Sequence, residues 1–216
     1  MGVVEGYVAE LGRALVGPRR HKADLLAEVR HGLTDAAEAY RRGGLAEPAN
    51  QERAVADFGR VADLAPDFQR ELAAAQGRRT AVLICLILAP QHLVWAADGQ
   101  AAIRDPQWHP GPGYAAMSSL VEVFGAMTLG IALVMLVALA RFGALARITG
   151  WFGVVVAALF AGVGLALTLL GPVPPLSLTG LPWTIAFLLV PMAWLGWSAR
   201  RTLLTAASCR LAATRG

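Results

Sequence analysis

His92 and Glu122 are ionisable side chains set inside long apolar runs of this 216-residue chain. An ionisable group in hydrocarbon is costly and usually faces a bundle interior or a wet cavity, so a His and a Glu at one depth are candidates for proton-responsive or ligand-responsive chemistry. Counting about 1.5 Å per residue outward from Arg79 and inward from Tyr114 puts both in the outer part of a bilayer, at similar depth. Pairing would tie two helices together, beside the local irregularity that Pro90 and Gln91 imply. The alternative is that each side chain reaches the interface or bonds a backbone carbonyl.

Other reactive residue types lack the spacing that chemistry needs. His21 and His31 have no Cys near them in sequence, and His31 falls on a polar helix face, so no zinc site is expected. Cys85 lies in an apolar stretch and Cys209 in a basic tail; both read as ordinary thiols. The chain has no His-Glu-x-x-His pair, no Gly-x-Ser-x-Gly turn and no Gly-x-x-x-x-Gly-Lys-Ser/Thr phosphate loop. Ser118 and Ser119 read as caps at a helix start. No catalytic residue, metal site or cofactor is expected, and the chain reads as something other than an enzyme.

The elements that must carry these residues follow from composition. Hydrophobic residues make up 56% of the chain and charged residues 16%, which is too apolar for an ordinary soluble domain. Charge is concentrated: 24 of the 34 charged residues precede Thr80, leaving 10 for the remaining 137 positions. Residues 1–13 contain Glu5 and Glu10 in a helical pattern rather than a signal peptide, so they are expected to be mature structure. The first 79 residues hold 12 basic and 12 acidic side chains. The overall positive balance therefore belongs to the apolar part, and direct nucleic-acid binding is not expected.

Four apolar runs, residues 80–97, 117–140, 150–170 and 181–199, each approach the roughly 20 residues needed to span a bilayer. Arg78 and Arg79 precede the first, Arg141 and Arg147 separate the second from the third, and Arg200, Arg201, Arg210 and Arg215 follow the fourth. The positive-inside bias then places both termini in the cytoplasm of a multi-pass plasma-membrane protein. Loops on the other side are short and rich in proline. Trp108, Tyr114, Trp151, Trp183 and Trp197 fall where interfacial anchors belong. Small residues recur four apart as Gly153, Ala157, Ala161, as Ala158, Gly162, Ala166, and as Ala126, Gly130; they suit close helix packing in the bundle or in a homo-oligomer, without deciding between them.

The N-terminal part reads as four amphipathic helices. Val4, Tyr7, Val8, Leu11 and Leu15 form the first stripe, which stops at Gly17-Pro18. Leu25, Leu26, Val29, Leu33, Ala36, Ala37 and Tyr40 form the second, opposite Asp24, Glu28, His31, Asp35, Glu38 and Arg42, with a stop at Gly43-Gly44. Ala54, Val55 and Phe58 follow Pro48, and Leu64, Phe68, Leu72 and Ala75 make a fourth face whose first turn Pro66 should disturb. Gln76-Gly77 predicts a break before the first span. The expected fold is all-α: a small cytoplasmic helical bundle over residues 1–77, four transmembrane helices within 78–199, and a basic cytoplasmic tail over 200–216.

The run Gly17-Pro18, Lys22, Asp24-Leu25-Leu26, Glu28-Val29, Leu33, Asp35-Ala36, Glu38-Ala39-Tyr40, Gly44-Leu45, Ala54-Val55, Phe58-Gly59, Leu64-Ala65-Pro66 and Gln69 resembles the HAAS signalling domain, also called the permease prefix domain. The likeness covers about the first third of the chain and rests on many positions at matched spacing. Where the family often has Asp-Pro after Phe-Gly, this chain has Arg60-Val61. The resemblance implies a membrane-bound partner of a PadR-type winged-helix regulator, with Lys22, Glu28, Asp35 and Glu38 as the polar residues to test for contact; solvated helix faces are the plainer reading. An accessory subunit or reduced permease component of a transporter is the alternative function.

Overall fold

The computed structural model describes residues 2–103, 111–141, 145–170 and 185–213; these are helical, with short connections and no strand. In chain order they form α1 (Val3–Ala14), α2 (Arg19–Arg42), α3 (Ala49–Phe58), α4 (Val61–Ile103), α5 (Pro112–Arg141), α6 (Ala146–Leu170), a π-helical turn (Ile185–Leu189) and α7 (Val190–Ala213). Among the described residues, three helices are long and apolar enough to cross a membrane, over Val61–Leu93, Ser119–Leu139 and Ala146–Leu167. The expected span 181–199 starts outside the described residues and continues through the π turn into α7. Two compact units divide the chain: Met1–Gln76 together with Leu204–Gly216, and Gly77–Leu203.

In the first unit the apolar stripes meet as their spacing requires. Val4, Tyr7, Val8, Leu11 and Leu15 are buried with Leu25, Val29 and Leu33 of α2 and Val61, Ala65 and Leu72 of α4, and Val55 and Phe58 pack against them. Helix α2 ends in a Schellman motif: Gly44 takes φ +98°, its N–H donates to the Arg41 carbonyl at 3.0 Å, and the Leu45 N–H donates to Tyr40 O at 3.1 Å. Gly59 closes α3 at φ +110°, and its carbonyl accepts the Tyr7 hydroxyl at 2.9 Å. The Tyr7 ring meets Phe58 edge to face at 5.8 Å. Burial, with Glu10 adding to it, raises the Tyr7 hydroxyl above the ordinary tyrosine range.

In the second unit, Ile84 and Leu88 of α4, Ala132 of α5, Val156, Ala157 and Phe160 of α6, and Met192 and Leu195 of α7 share one core. Gly153 and Ala157 of the first small-residue stripe are buried and Ala161 is half-buried, whereas Ala158, Gly162, Ala126 and Gly130 are exposed and Ala166 is half-buried. Of the aromatic anchors, Trp151 and Trp197 are exposed. Trp108 and Trp183 lie outside the described residues, as does the side chain of Tyr114.

Three local expectations are corrected. No break occurs at Gln76-Gly77, because α4 runs unbroken from Val61 to Ile103. Gly77 serves packing instead: a Cβ there would stand 3.3 Å from the Ala146 Cα and from both Leu139 methyls. Pro66 is absorbed as the sixth residue of the same helix, at the loss of the bond its N–H would have donated to Ala62 O. Helix α5 begins at Pro112, so Ser118 and Ser119 lie inside it rather than capping it; proline is well suited to a first helical position. From Leu204 onward the tail continues α7 and belongs to the first unit.

Candidate functional site

Helix α2 separates the four residues expected to contact a partner. Lys22 is half-buried, and its ammonium donates to Leu15 O at 2.7 Å, satisfying a carbonyl just past the end of α1. Glu28, Asp35 and Glu38 lie on the outer side of α2, and no ion pair among the described residues involves them. At 100° per residue the three carboxylates fall within one flank of α2, because positions seven apart nearly eclipse. The opposite flank of α2 meets α1, where Arg30 pairs with Glu5 at 3.0 Å beside a groove of about 370 Å³ lined by Val8, Gly12 and Leu26.

Three polar side chains of the first unit, Gln69, Gln51 and Asn50, bind backbone groups. Gln69 is 1% exposed; its carbonyl accepts the Val16 N–H at 2.8 Å, and its amide donates to Val16 O at 2.6 Å and Thr205 O at 3.1 Å. It therefore clips the α1–α2 connection to α4 and to the end of α7. Gln51 accepts the Val3 N–H at 3.1 Å, satisfying one of the unpaired donors at the start of α1. Asn50, also buried, reaches the Ala37 carbonyl at 3.4 Å.

His92 and Glu122 lie on neighbouring helices. The half-buried imidazole packs over Gly125, its Nδ1 3.2 Å from where a Cβ would stand. Glu122 is one turn away on α5 and exposed, and no ion pair within 4.0 Å joins the two. Gln91 finds a definite partner: its side-chain amide donates to the Phe187 carbonyl of the π turn. The turn also packs against α6, for a Cβ on Gly164 would collide with Leu188. Gln91 is thus tied to the π turn and His92 packs on α5, while Glu122 stands apart from both.

At the opposite end of the spanning part of α4 the second unit is joined by hydroxyls. Thr80 Oγ1 lies 2.9 Å from Ser198 Oγ and 2.8 Å from Thr202 Oγ1, and Thr202 donates to Ser198 O at 3.1 Å. Thr80 and Thr202 are 0% exposed and Ser198 4%. Gly150 and Gly153 of α6 fit against this seam, where a Cβ would fall within 3 Å of Leu203 and of Ala199 respectively. Arg78 donates to Leu139 O at 3.3 Å, at the carboxyl end of α5. Sequence reasoning missed the seam and gave Gln69 only as a position of the family resemblance, not its backbone bonds; Ser198 and Thr202, four apart in α7, were the available signal for the seam. Comparison with family models, with curated proteins and with solved structures finds no match.

Proposed function

We propose that the chain is a membrane-anchored signalling protein whose cytoplasmic helical domain, residues 1–77, binds and modulates a PadR-type winged-helix transcription regulator. The membrane part is read as a bundle of four spanning helices with both termini in the cytoplasm. The observation that carries this reading is the outer flank of α2, where Glu28, Asp35 and Glu38 stand together without ion-pair partners among the described residues. Three exposed carboxylates on one helix flank, with no ion pair within 4.0 Å, suit recognition of a partner with a basic surface, since complementary charge steers encounter and fixes register. The HAAS-like spacing of the same helix supports the class of partner.

The test is co-purification of the full-length protein, in detergent, with the winged-helix regulator encoded nearest to it. Binding is expected, and Glu28→Lys, Asp35→Lys and Glu38→Lys together should weaken it by roughly tenfold or more, because like charges would then face each other. Absence of binding by the unaltered chain would favour the transporter-subunit reading. Binding that is indifferent to the three reversals would remove this flank as the contact.

A further inference from the structure

Four arginines of the second unit, Arg79, Arg147, Arg200 and Arg201, are exposed. Their backbones are held at one level by contacts among α4, α6 and α7. Gly77 abuts Ala146, Thr80 bonds Ser198 and Thr202, and Gly150 fits beneath Leu203. Arg79 adjoins Thr80, Arg200 and Arg201 lie between the two α7 hydroxyl residues, and Arg147 is one turn before Gly150. Fixed helices therefore display these guanidiniums. Arg78 is different, being turned inward to Leu139 O.

Acidic residues of the same unit are few and remote along the chain. They are Asp98, Asp105 and Glu122, and Asp98 is the first of them after Thr80, eighteen residues along α4, or about 27 Å of helix rise. An aromatic ring completes the arrangement: the Arg201 guanidinium sits 3.7 Å over the ring of Trp197, which is 51% exposed. Tryptophan with one wet and one apolar side belongs at the level of lipid headgroups. Cationic side chains at that level attract anionic headgroups through charge, which Lys and Arg supply alike.

We infer that this arginine collar is a binding surface for anionic phospholipid headgroups, with Trp197 marking the interface depth. The inference rests on the membrane reading above, with the collar at the cytoplasmic leaflet, and adds lipid selectivity to it. Zwitterionic lipids offer the same phosphate but bring their own cation, which competes with arginine. Net negative headgroups are therefore preferred.

The test is native mass spectrometry of the full chain released from mixed micelles with equal amounts of phosphatidylglycerol and phosphatidylcholine. The unaltered protein should retain phosphatidylglycerol, with the preference shrinking at roughly 0.5 M salt, where screening is short-ranged. Arg79→Gln, Arg147→Gln and Arg200→Gln together should cut the preference roughly tenfold or more, given the attraction each surface arginine contributes. The corresponding Lys variant should keep most of it, and Arg19→Gln with Arg20→Gln in α2 should leave it intact. Equal retention of both lipids, or a Gln variant with unchanged preference, overturns the proposal, as does loss in the Lys variant. Displacement of the lipid by equimolar inorganic phosphate would reassign the surface to free anions. Alkaline extraction separates the two readings: protein released from membranes overturns the membrane reading itself, whereas retained protein without lipid preference overturns the collar alone.

Discussion

Tyr7 is the residue whose surroundings make the clearest demand. Its hydroxyl is buried against the Gly59 carbonyl, so ionisation must leave a buried anion facing a carbonyl oxygen. The folded form therefore ionises above the ordinary value of about 10, chiefly through burial. Stability from this group is complete below that value and is lost as pH rises through the higher folded value. Tyr7→Phe should cost about 1 kcal/mol at neutral pH through the lost hydrogen bond, and its denaturation midpoint should fall less than that of the unaltered chain above pH ~10. Parallel midpoints across that range would refute the assignment. The Tyr7 position was legible, because every member of the stripe Val4, Tyr7, Val8, Leu11, Leu15 is buried. Lys22 was not, since a long flexible chain leaves the direction of its ammonium open, and here it reaches back to Leu15 O. Gln69 was equally hidden: its partner Val16 lies 53 positions away, and a bond to backbone has no signature in side-chain type.

At the scale of elements, glycine has two opposite meanings that spacing alone does not separate. Gly32, inside α2, has open space within 4 Å of where a methyl group would stand, whereas Gly77 in α4 is closed off by the Ala146 backbone and by Leu139. Gly32→Ala should therefore raise stability by up to ~1 kcal/mol through helix propensity. Gly77→Leu should lower it by roughly 1–3 kcal/mol through overpacking. Thermal melts of the full chain in one detergent compare them, and a gain at both positions would mean that α4 is not closely packed there. Helix boundaries were legible where a stop is local, as at Gly43-Gly44 and Gly59. They failed where tertiary contact outweighs local propensity, as at Gly77, and where Pro112 starts a helix earlier than the apolar run suggests.

For the whole molecule, charge asymmetry makes the strongest prediction. Six of the seven arginines after Arg79 fall on one proposed side of the apolar runs, with Arg104 alone on the other. A phosphatase active only after export, fused behind Gly216, should stay silent, while the same reporter inserted after Gly111 should work. The reverse pattern would invert the topology. The grouping of Leu204–Gly216 with the first unit was not readable from charge density. The Gln69 bond to Thr205, between residues 136 positions apart, lies beyond any local pattern.

The hydroxyl seam also imposes an order in time. Thr80 and its partners Ser198 and Thr202 are 118 and 122 positions apart, so α4 leaves the ribosome long before α7 exists. Until α7 is made, the Thr80 hydroxyl lacks both seam partners, and a carbonyl of its own helix is the acceptor within reach of a threonine. Helix α7 brings Ser198 and Thr202 to the seam, and Thr205 on the same helix gives Gln69 its second acceptor. A nascent chain stalled before α7 thus lacks both fastenings at once, and translation of this one helix completes each of the two units.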